Sequence, residues 1–381
     1  MIYRKFQDLQ LSALGLGMMR LPVIGGDDSK VDMEAASEMV DYAMEHGINY
    51  YDTAWAYHGG ESEHVTGELL RKYPREQYYL ASKFPGFDEA NIRKVKEIFE
   101  KQLERCGTGY FDFYLLHNVC ETNVDFYLED DKYGVCRYLL EQKAAGRIRH
   151  LGFSSHGNLD VLERFLRAYG RDMEFCQLQI NYVDWTFQNA KEKVELLTEY
   201  GIPVWVMEPV RGGRLASVPD SYLEKLRALR PEEKTAAAWA FRFVQSIPQV
   251  KVILSGMSDM AQLKENIATF QEEKPLDERE RTVIEELVAQ MLEQKTVPCT
   301  ACRYCVSKCP QELDIPELLR LYNEHCLTVG GSDGKEALAS YAEEKKPGAC
   351  VGCRSCESIC PQGIRISEVM ADFTGRLNTA D

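Results

Sequence analysis

The sequence predicts an α/β chain in two parts: a closed parallel (β/α)8 TIM-type barrel, then a small, mostly helical domain rich in cysteine. Three observations carry this. Eight short apolar runs alternate with stretches of helical spacing across the first 275 residues, as buried strands joined by crossover helices would. The polar residues Asp52, Lys83, His117, Ser154 and Gln179 fall where such runs end, and a barrel of this kind carries its chemistry at the C-terminal ends of its strands. Nine of the 13 cysteines lie between Cys299 and Cys360.

In chain order, the runs are Leu14–Gly17, Ile48–Asp52, Tyr78–Lys83, Phe111–His117, Ile148–Ser154, Phe175–Gln179, Pro203–Met207 and Val250–Ser255. Met33–His46, Asn91–Cys106 and Asp125–Ala145 carry helical spacing between them. No Gly-x-Gly-x-x-Gly follows the first run into a helix, which disfavours an open doubly wound sheet. The barrel is expected over residues 1–275, ending at the polar break Gln271–Pro275. A connector helix should lie within 276–298, with Val283, Ile284, Leu287, Val288 and Leu292 on its apolar side and Pro298 as its stop. The cysteine-rich domain takes 299–381, with helices expected at Pro316–His325 and Lys335–Glu344.

Composition narrows the function classes. With 45% hydrophobic and 28% charged residues the chain is neither disordered nor fibrous. A formal charge of −15 would repel a phosphate backbone, so nucleic acid is not expected as a partner. No apolar run reaches spanning length, and the start Met1-Ile2-Tyr3-Arg4-Lys5-Phe6 lacks the apolar core of a signal peptide. No membrane association is expected, and the expected location is the cytoplasm. In that reducing compartment clustered cysteines point to metal rather than disulfides.

The cluster has a repeated spacing. Cys299, Cys302, Cys305 and Cys309-Pro310 read C-x2-C-x2-C-x3-C-P, and Cys350, Cys353, Cys356 and Cys360-Pro361 repeat it. C-x2-C pairs also bind zinc, but zinc needs neither the third cysteine nor the Cys-Pro ending, and both occur twice. In two-cluster ferredoxins, three close thiolates hold one [4Fe–4S] cluster while the fourth reaches the other. On that pattern Cys299, Cys302, Cys305 and Cys360 hold one cluster, and Cys350, Cys353, Cys356 and Cys309 the second. The 40 residues from Pro310 to Ala349 make the domain similar to the helical ferredoxin variety. Cys326 and the scattered Cys106, Cys120, Cys136 and Cys176 read as buried structural thiols.

Asp52-Thr53-Ala54-Trp55-Ala56-Tyr57, followed by Lys83 and His117 at successive strand ends, resembles the aldo/keto reductase family. His58-Gly59-Gly60-Glu61-Ser62-Glu63 adds to the likeness, departing slightly from the family's Tyr-Gly-x-Ser-Glu. With its tail, the chain is similar to members that carry a C-terminal 4Fe–4S ferredoxin-type domain. The residues also make chemical sense alone. A carbonyl accepting hydride needs a proton donor, and a phenol is a weak one at neutral pH. Lys83 is expected to lower the pKa of Tyr57, Asp52 to keep Lys83 charged, and His117 to orient the carbonyl oxygen.

The resemblance implies a nicotinamide cofactor, NAD(H) or NADP(H), and places Ser154, Gln179 and Asn181 at its carboxamide. It also implies Gly17, Met19 and Arg20 along the same mouth, and Met207, Pro209, Val210 and Gly212 in the loop after the seventh strand. Met207 stands where relatives carry an aromatic residue. Ser255, Gly256, Ser258, Gln262, Glu265 and Asn266 are implied at the adenosine phosphate. Asp259 takes a position often basic in NADPH-binding members, so it disfavours a 2′-phosphate. Read without the resemblance, Ser255–Ser258 is a strand–helix turn with a capping serine.

The expected function is oxidation or reduction of a small-molecule carbonyl or alcohol at the barrel mouth, coupled to electron transfer through two [4Fe–4S] clusters. Hydride carries two electrons and a cluster one; a flavin could split the pair, although the sequence carries no flavin motif. A redox partner protein is a corollary. The competing readings are an electron-transfer or partner-docking protein whose barrel is scaffold, and clusters that are purely structural.

Overall fold

The structure is a computed structural model that describes residues 1–293, 296–327, 338 and 341–378. It divides into two compact units, Met1–Arg281 and Thr282–Asp381. In the first, eight parallel strands close into a barrel: β3 (Leu14–Gly17), β4 (Tyr50–Asp52), β5 (Tyr79–Phe84), β6 (Phe111–Val119), β7 (Ile148–Ser155), β8 (Cys176–Gln179), β9 (Val204–Met207) and β10 (Val250–Ser255). Each of the eight apolar runs is one of these strands, and β10 pairs with β3 to close the ring.

The hairpin of β1 (Tyr3–Phe6) and β2 (Leu9–Ser12) lies outside the eight runs. Phe6 stacks edge-on against Trp205 at 5.0 Å and packs on Phe113 at 5.8 Å, both near the N-terminal ends of their strands. With Leu11, Tyr50 and Phe175 they build one apolar cluster, so the hairpin plugs the N-terminal end of the barrel. Chemistry is left to the opposite end.

Two helical stretches are shorter than their spacing predicts. Asp125–Ala145 is three pieces, Val124–Leu128, Asp130–Tyr133 and Val135–Ala144, broken where Gly134 takes φ of +69°. The middle piece buries none of its residues, and the left-handed Gly134 marks the second interruption. Asn91–Cys106 likewise divides into Glu89–Ile92 and Val95–Arg105. Met33–Glu45 is one helix, capped by Asp32.

In the second unit, the helices Ile315–Leu327 and Ile366–Asn378 pack through Leu318, Leu319, Tyr322, Met370 and Phe373, with the cysteine loops against the same core. Half of the helix expected at 335–344 lies outside the described residues, and Glu343–Lys345 is a single 3-10 turn. The helix Glu278–Glu293 falls where the connector is expected, and the division between units lies within it; Gln294 is outside the described residues. No helix among the described residues is long and apolar enough to cross a membrane.

Candidate active site and cysteine pockets

The ends of β4, β5 and β6 bring the tetrad together. Lys83, fully buried, donates from Nζ to Asp52 Oδ1 at 2.5 Å, to the Thr53 carbonyl at 2.9 Å and to the Tyr57 hydroxyl at 3.3 Å. Burial opposes the Lys83 charge, but Asp52 and Tyr57 outweigh it and hold the ammonium above its usual range. Burial raises Asp52, and Lys83 offsets this in part. The Tyr57 ring stands edge-on to His117 at 5.9 Å. Burial, helped by Lys83 and His156, holds His117 well below the usual histidine range, so it is neutral near pH 7.

The expected tuning of Tyr57 runs the other way. Burial of the hydroxyl raises its pKa more than Lys83 lowers it, with Asp52 and Glu208 adding to the rise. Sequence reasoning counted the cation and missed the desolvation. The phenol is therefore held protonated.

Beneath the tetrad, Glu63 is buried and accepts from Ser82 at 2.6 Å and from Gln102, which also donates to the Lys83 carbonyl at 2.9 Å. Ser62 bonds Thr53 at 2.8 Å and the Met18 carbonyl at 2.8 Å. The Ser62-Glu63 pair thus fixes the strand ends that carry Asp52 and Lys83.

The residues implied at the nicotinamide are divided. Ser154, buried on β7, accepts from the Asn118 amide at 2.8 Å. Gln179 donates to Asp184 at 2.8 Å. Asn181 is committed elsewhere: its Nδ2 donates to Asp184 at 2.7 Å and to the Glu208 carbonyl at 3.0 Å, while its Oδ1 accepts from Val183 and Asp184. That leaves it no free hydrogen-bonding capacity for a carboxamide. The hub is Asp184, also paired to Arg211 at 3.2 Å, and no motif in the sequence points to it.

Gly17 and Gly256 meet where β3 and β10 end. A Cβ on Gly17 would stand 3.3 Å from the Ser255 carbonyl, a tight fit against backbone, and one on Gly256 would stand 3.1 Å from the Arg20 side chain. Met19 and Arg20 are exposed beside them. Met207 is half-buried, Pro209 buried and Val210 half-buried, while Gly212 is exposed at φ of +66°. Such a bare, glycine-lined rim suits the close approach of a dinucleotide.

The cap of the helix Met260–Thr269 is Asp259, not a serine: it accepts from the Gln262 amide at 2.8 Å. Ser258 before the cap, and Gln262 and Glu265 along the helix, are exposed, while buried Asn266 donates to Ser255 at 3.2 Å. Lys264 lies over the Tyr42 ring at 5.3 Å.

In the second unit the cysteines gather in two sets. Cys299, Cys302, Cys305 and Cys360 line one small cavity, and Cys309, Cys350, Cys353 and Cys356 line another. Each cavity takes three cysteines from one motif and the fourth from the other. Burial, then Cys302, Cys299 and Cys360, push the Cys305 thiol up to about 12, so the fully thiolate set is held only with positive charge among the sulfurs. Cys326 is buried among apolar side chains, as are Cys106, Cys120, Cys136 and Cys176 among theirs.

Comparison with known proteins agrees with both halves. The aldo/keto reductase family matches residues 13–289, and a 4Fe-4S dicluster domain matches 298–365. An uncharacterized oxidoreductase, YqkF, of Bacillus subtilis is 27% identical over 290 residues, covering 68% of this chain and 87% of its own. The NADH-specific methylglyoxal reductase of Escherichia coli is 28% identical over 228 residues, 55% of this chain and 66% of its own. Among solved structures, the holo form of the aldo-keto reductase AKR11C1 from Bacillus halodurans superposes with a TM-score of 0.61 at 27% identity, covering 75% of this chain and 95% of that one. A closed barrel with the Asp52, Tyr57, Lys83 and His117 side chains at one mouth, followed by a 4Fe-4S domain, is thus the architecture of an NAD(P)-dependent oxidoreductase, and the chain belongs to the aldo/keto reductase family.

Proposed function

We propose that the barrel interconverts a carbonyl and an alcohol by hydride exchange with a nicotinamide cofactor, and that two [4Fe–4S] clusters in the second unit exchange electrons with that chemistry. The contact of Lys83 with both Asp52 and Tyr57 carries the reading. When bound, the nicotinamide supplies or accepts the hydride. The chain's own residues handle the oxygen. Neutral His117 orients the carbonyl oxygen, and Tyr57 gives it a proton as alkoxide character develops. A raised phenol pKa does not prevent this, because an alkoxide is a stronger base than a phenolate. Lys83, 3.3 Å from the hydroxyl, stabilises the phenolate left behind. Alcohol oxidation runs the same steps backwards.

Ser154 and Gln179 would hold the carboxamide, with Gly17, Arg20, Gly256 and the turn at Ser258–Gln262 along the rest of the dinucleotide. Asp259 on that turn, with Lys264 drawn to Tyr42, favours NADH over NADPH. The two four-cysteine cavities support the crossed ligand sets, Cys299, Cys302, Cys305 and Cys360 against Cys309, Cys350, Cys353 and Cys356. The test of coupling is reduction of the clusters by NADH, followed by visible absorbance and paramagnetic resonance, with and without added flavin. Bleaching by NADH supports it; clusters that stay oxidised under both conditions make them structural.

A further inference from the structure

The apolar cluster that includes Tyr50, Ala81, Leu115, Phe175 and Trp205 fills the barrel interior. Side chains alternate along a strand, so the residue two further on points to the same side. Tyr50 thereby leads to Asp52, Ala81 to Lys83 and Leu115 to His117, while Phe175, one residue before β8, leads to Gln177 and then Gln179. The register agrees: Gln177 lies opposite Trp205 and Gln179 opposite Met207, and Gln177 donates to the Met207 sulfur at 3.6 Å. Gln179, the last residue of β8 and half-buried, thus shares the inner mouth with the tetrad.

Its amide is held from one side. Nε2 donates to Asp184 Oδ2 at 2.8 Å, an oxygen that also accepts from Asn181 at 2.7 Å, and Asp184 Oδ1 accepts from Arg211 at 3.2 Å. Asp184 is fully buried, and a carboxylate only accepts. Gln179 must therefore turn its nitrogen to Asp184, which leaves Oε1 unburied and without a partner among the described residues. We propose that Asp184 is a positioning residue for the cofactor: it fixes the Gln179 amide with Oε1 free to accept, so that the site requires an N–H donor on the nicotinamide ring's substituent. This rests on the placement of Gln179 at the carboxamide. An unrestrained glutamine amide can turn to offer either end; Asp184 removes that choice. A ring lacking the N–H would then leave Oε1 unpaired.

Calorimetric titration of the cluster-loaded full chain with NAD+ and with its 3-acetylpyridine analogue, in which a methyl group replaces the carboxamide NH2, reads this without turnover. The wild type should bind NAD+ about fivefold more tightly than the analogue, the scale of one hydrogen bond. In Asp184→Asn, Arg211 keeps the remaining oxygen and the introduced amide nitrogen faces Gln179, whose Oε1 turns to accept from it; the preference should vanish. Asp184→Ala, which leaves no group to set the amide, should do the same and serves where the asparagine variant folds poorly. The exchange Asp184→Asn/Gln179→Glu again leaves an acceptor free and should restore the preference. Loosening of the fold alone would weaken both ligands alike and leave the ratio unmoved. A wild type that binds both equally, a preference that survives Asp184→Asn and Asp184→Ala, or an exchange variant that does not regain it overturns the proposal. Gln179→Leu tests the placement apart. If it abolishes a preference that the Asp184 variants retain, only the role of Asp184 falls; if it leaves the preference intact, Gln179 is not at the carboxamide and this inference falls with that placement.

Discussion

Replacing Lys83 with methionine should separate stability from catalysis. Lys83 is fully buried and Asp52 is 3% exposed, so the variant leaves a carboxylate in the barrel with its cation gone. Breaking a buried pair from one side costs about 3–5 kcal/mol, because the remaining charge keeps its desolvation penalty. Asp52 can escape by taking a proton. Its folded pKa in the variant should therefore stand well above its unfolded value of about 3.9. A group raised on folding contributes its stability below the unfolded pKa and loses it as pH rises towards the folded one. Lys83→Met should be least destabilised near pH 4 and progressively worse towards pH 8. The double variant Lys83→Met/Asp52→Asn should recover most of the loss and lose the pH slope, since no charge is then stranded. Neither variant should regain activity, because both lack the ammonium beside Tyr57. Urea unfolding at pH 5 and pH 8, with turnover measured alongside, provides the readouts. A Lys83→Met variant equally stable at both pH values, or a double variant no better than the single, would refute the stranded-carboxylate argument.

Tyr57→Phe should bind nucleotide normally, by fluorescence titration, and lose about 10²-fold or more in turnover, the usual scale for a missing general acid. Asp259→Arg should shift binding towards NADPH, since like-charge repulsion of roughly 1–4 kcal/mol is replaced by attraction. The same change removes the cap of Met260–Thr269, so thermal unfolding should show a loss of about 1 kcal/mol; tighter NADPH binding by the wild type would place the phosphate site elsewhere. Anaerobically purified protein should carry about eight iron and eight sulfide per chain. Cys302→Ser should disturb one cluster and Cys309→Ser the other, as read by paramagnetic resonance. A shared effect would contradict the crossed ligation.

Much of this molecule is decided locally. A barrel strand must be apolar while it is inside the wall and can turn polar only where it leaves, so Asp52, Lys83 and His117 at the ends of three runs mark both the topology and the mouth. The cysteine motifs are equally local, since three ligands of each set lie within eight residues of one another. What sequence could not supply depends on partners distant along the chain. The plug made by Phe6 exists because Trp205 and Phe113 line the far end of the barrel, and a two-strand hairpin has no long apolar run to announce it. Asn181 looks like a ligand group until Asp184 and Glu208 are seen to saturate it. The acidity of Tyr57 turns on a balance between the charge of Lys83 and burial of the hydroxyl, and burial is a property of the assembled barrel that no spacing of residues reports.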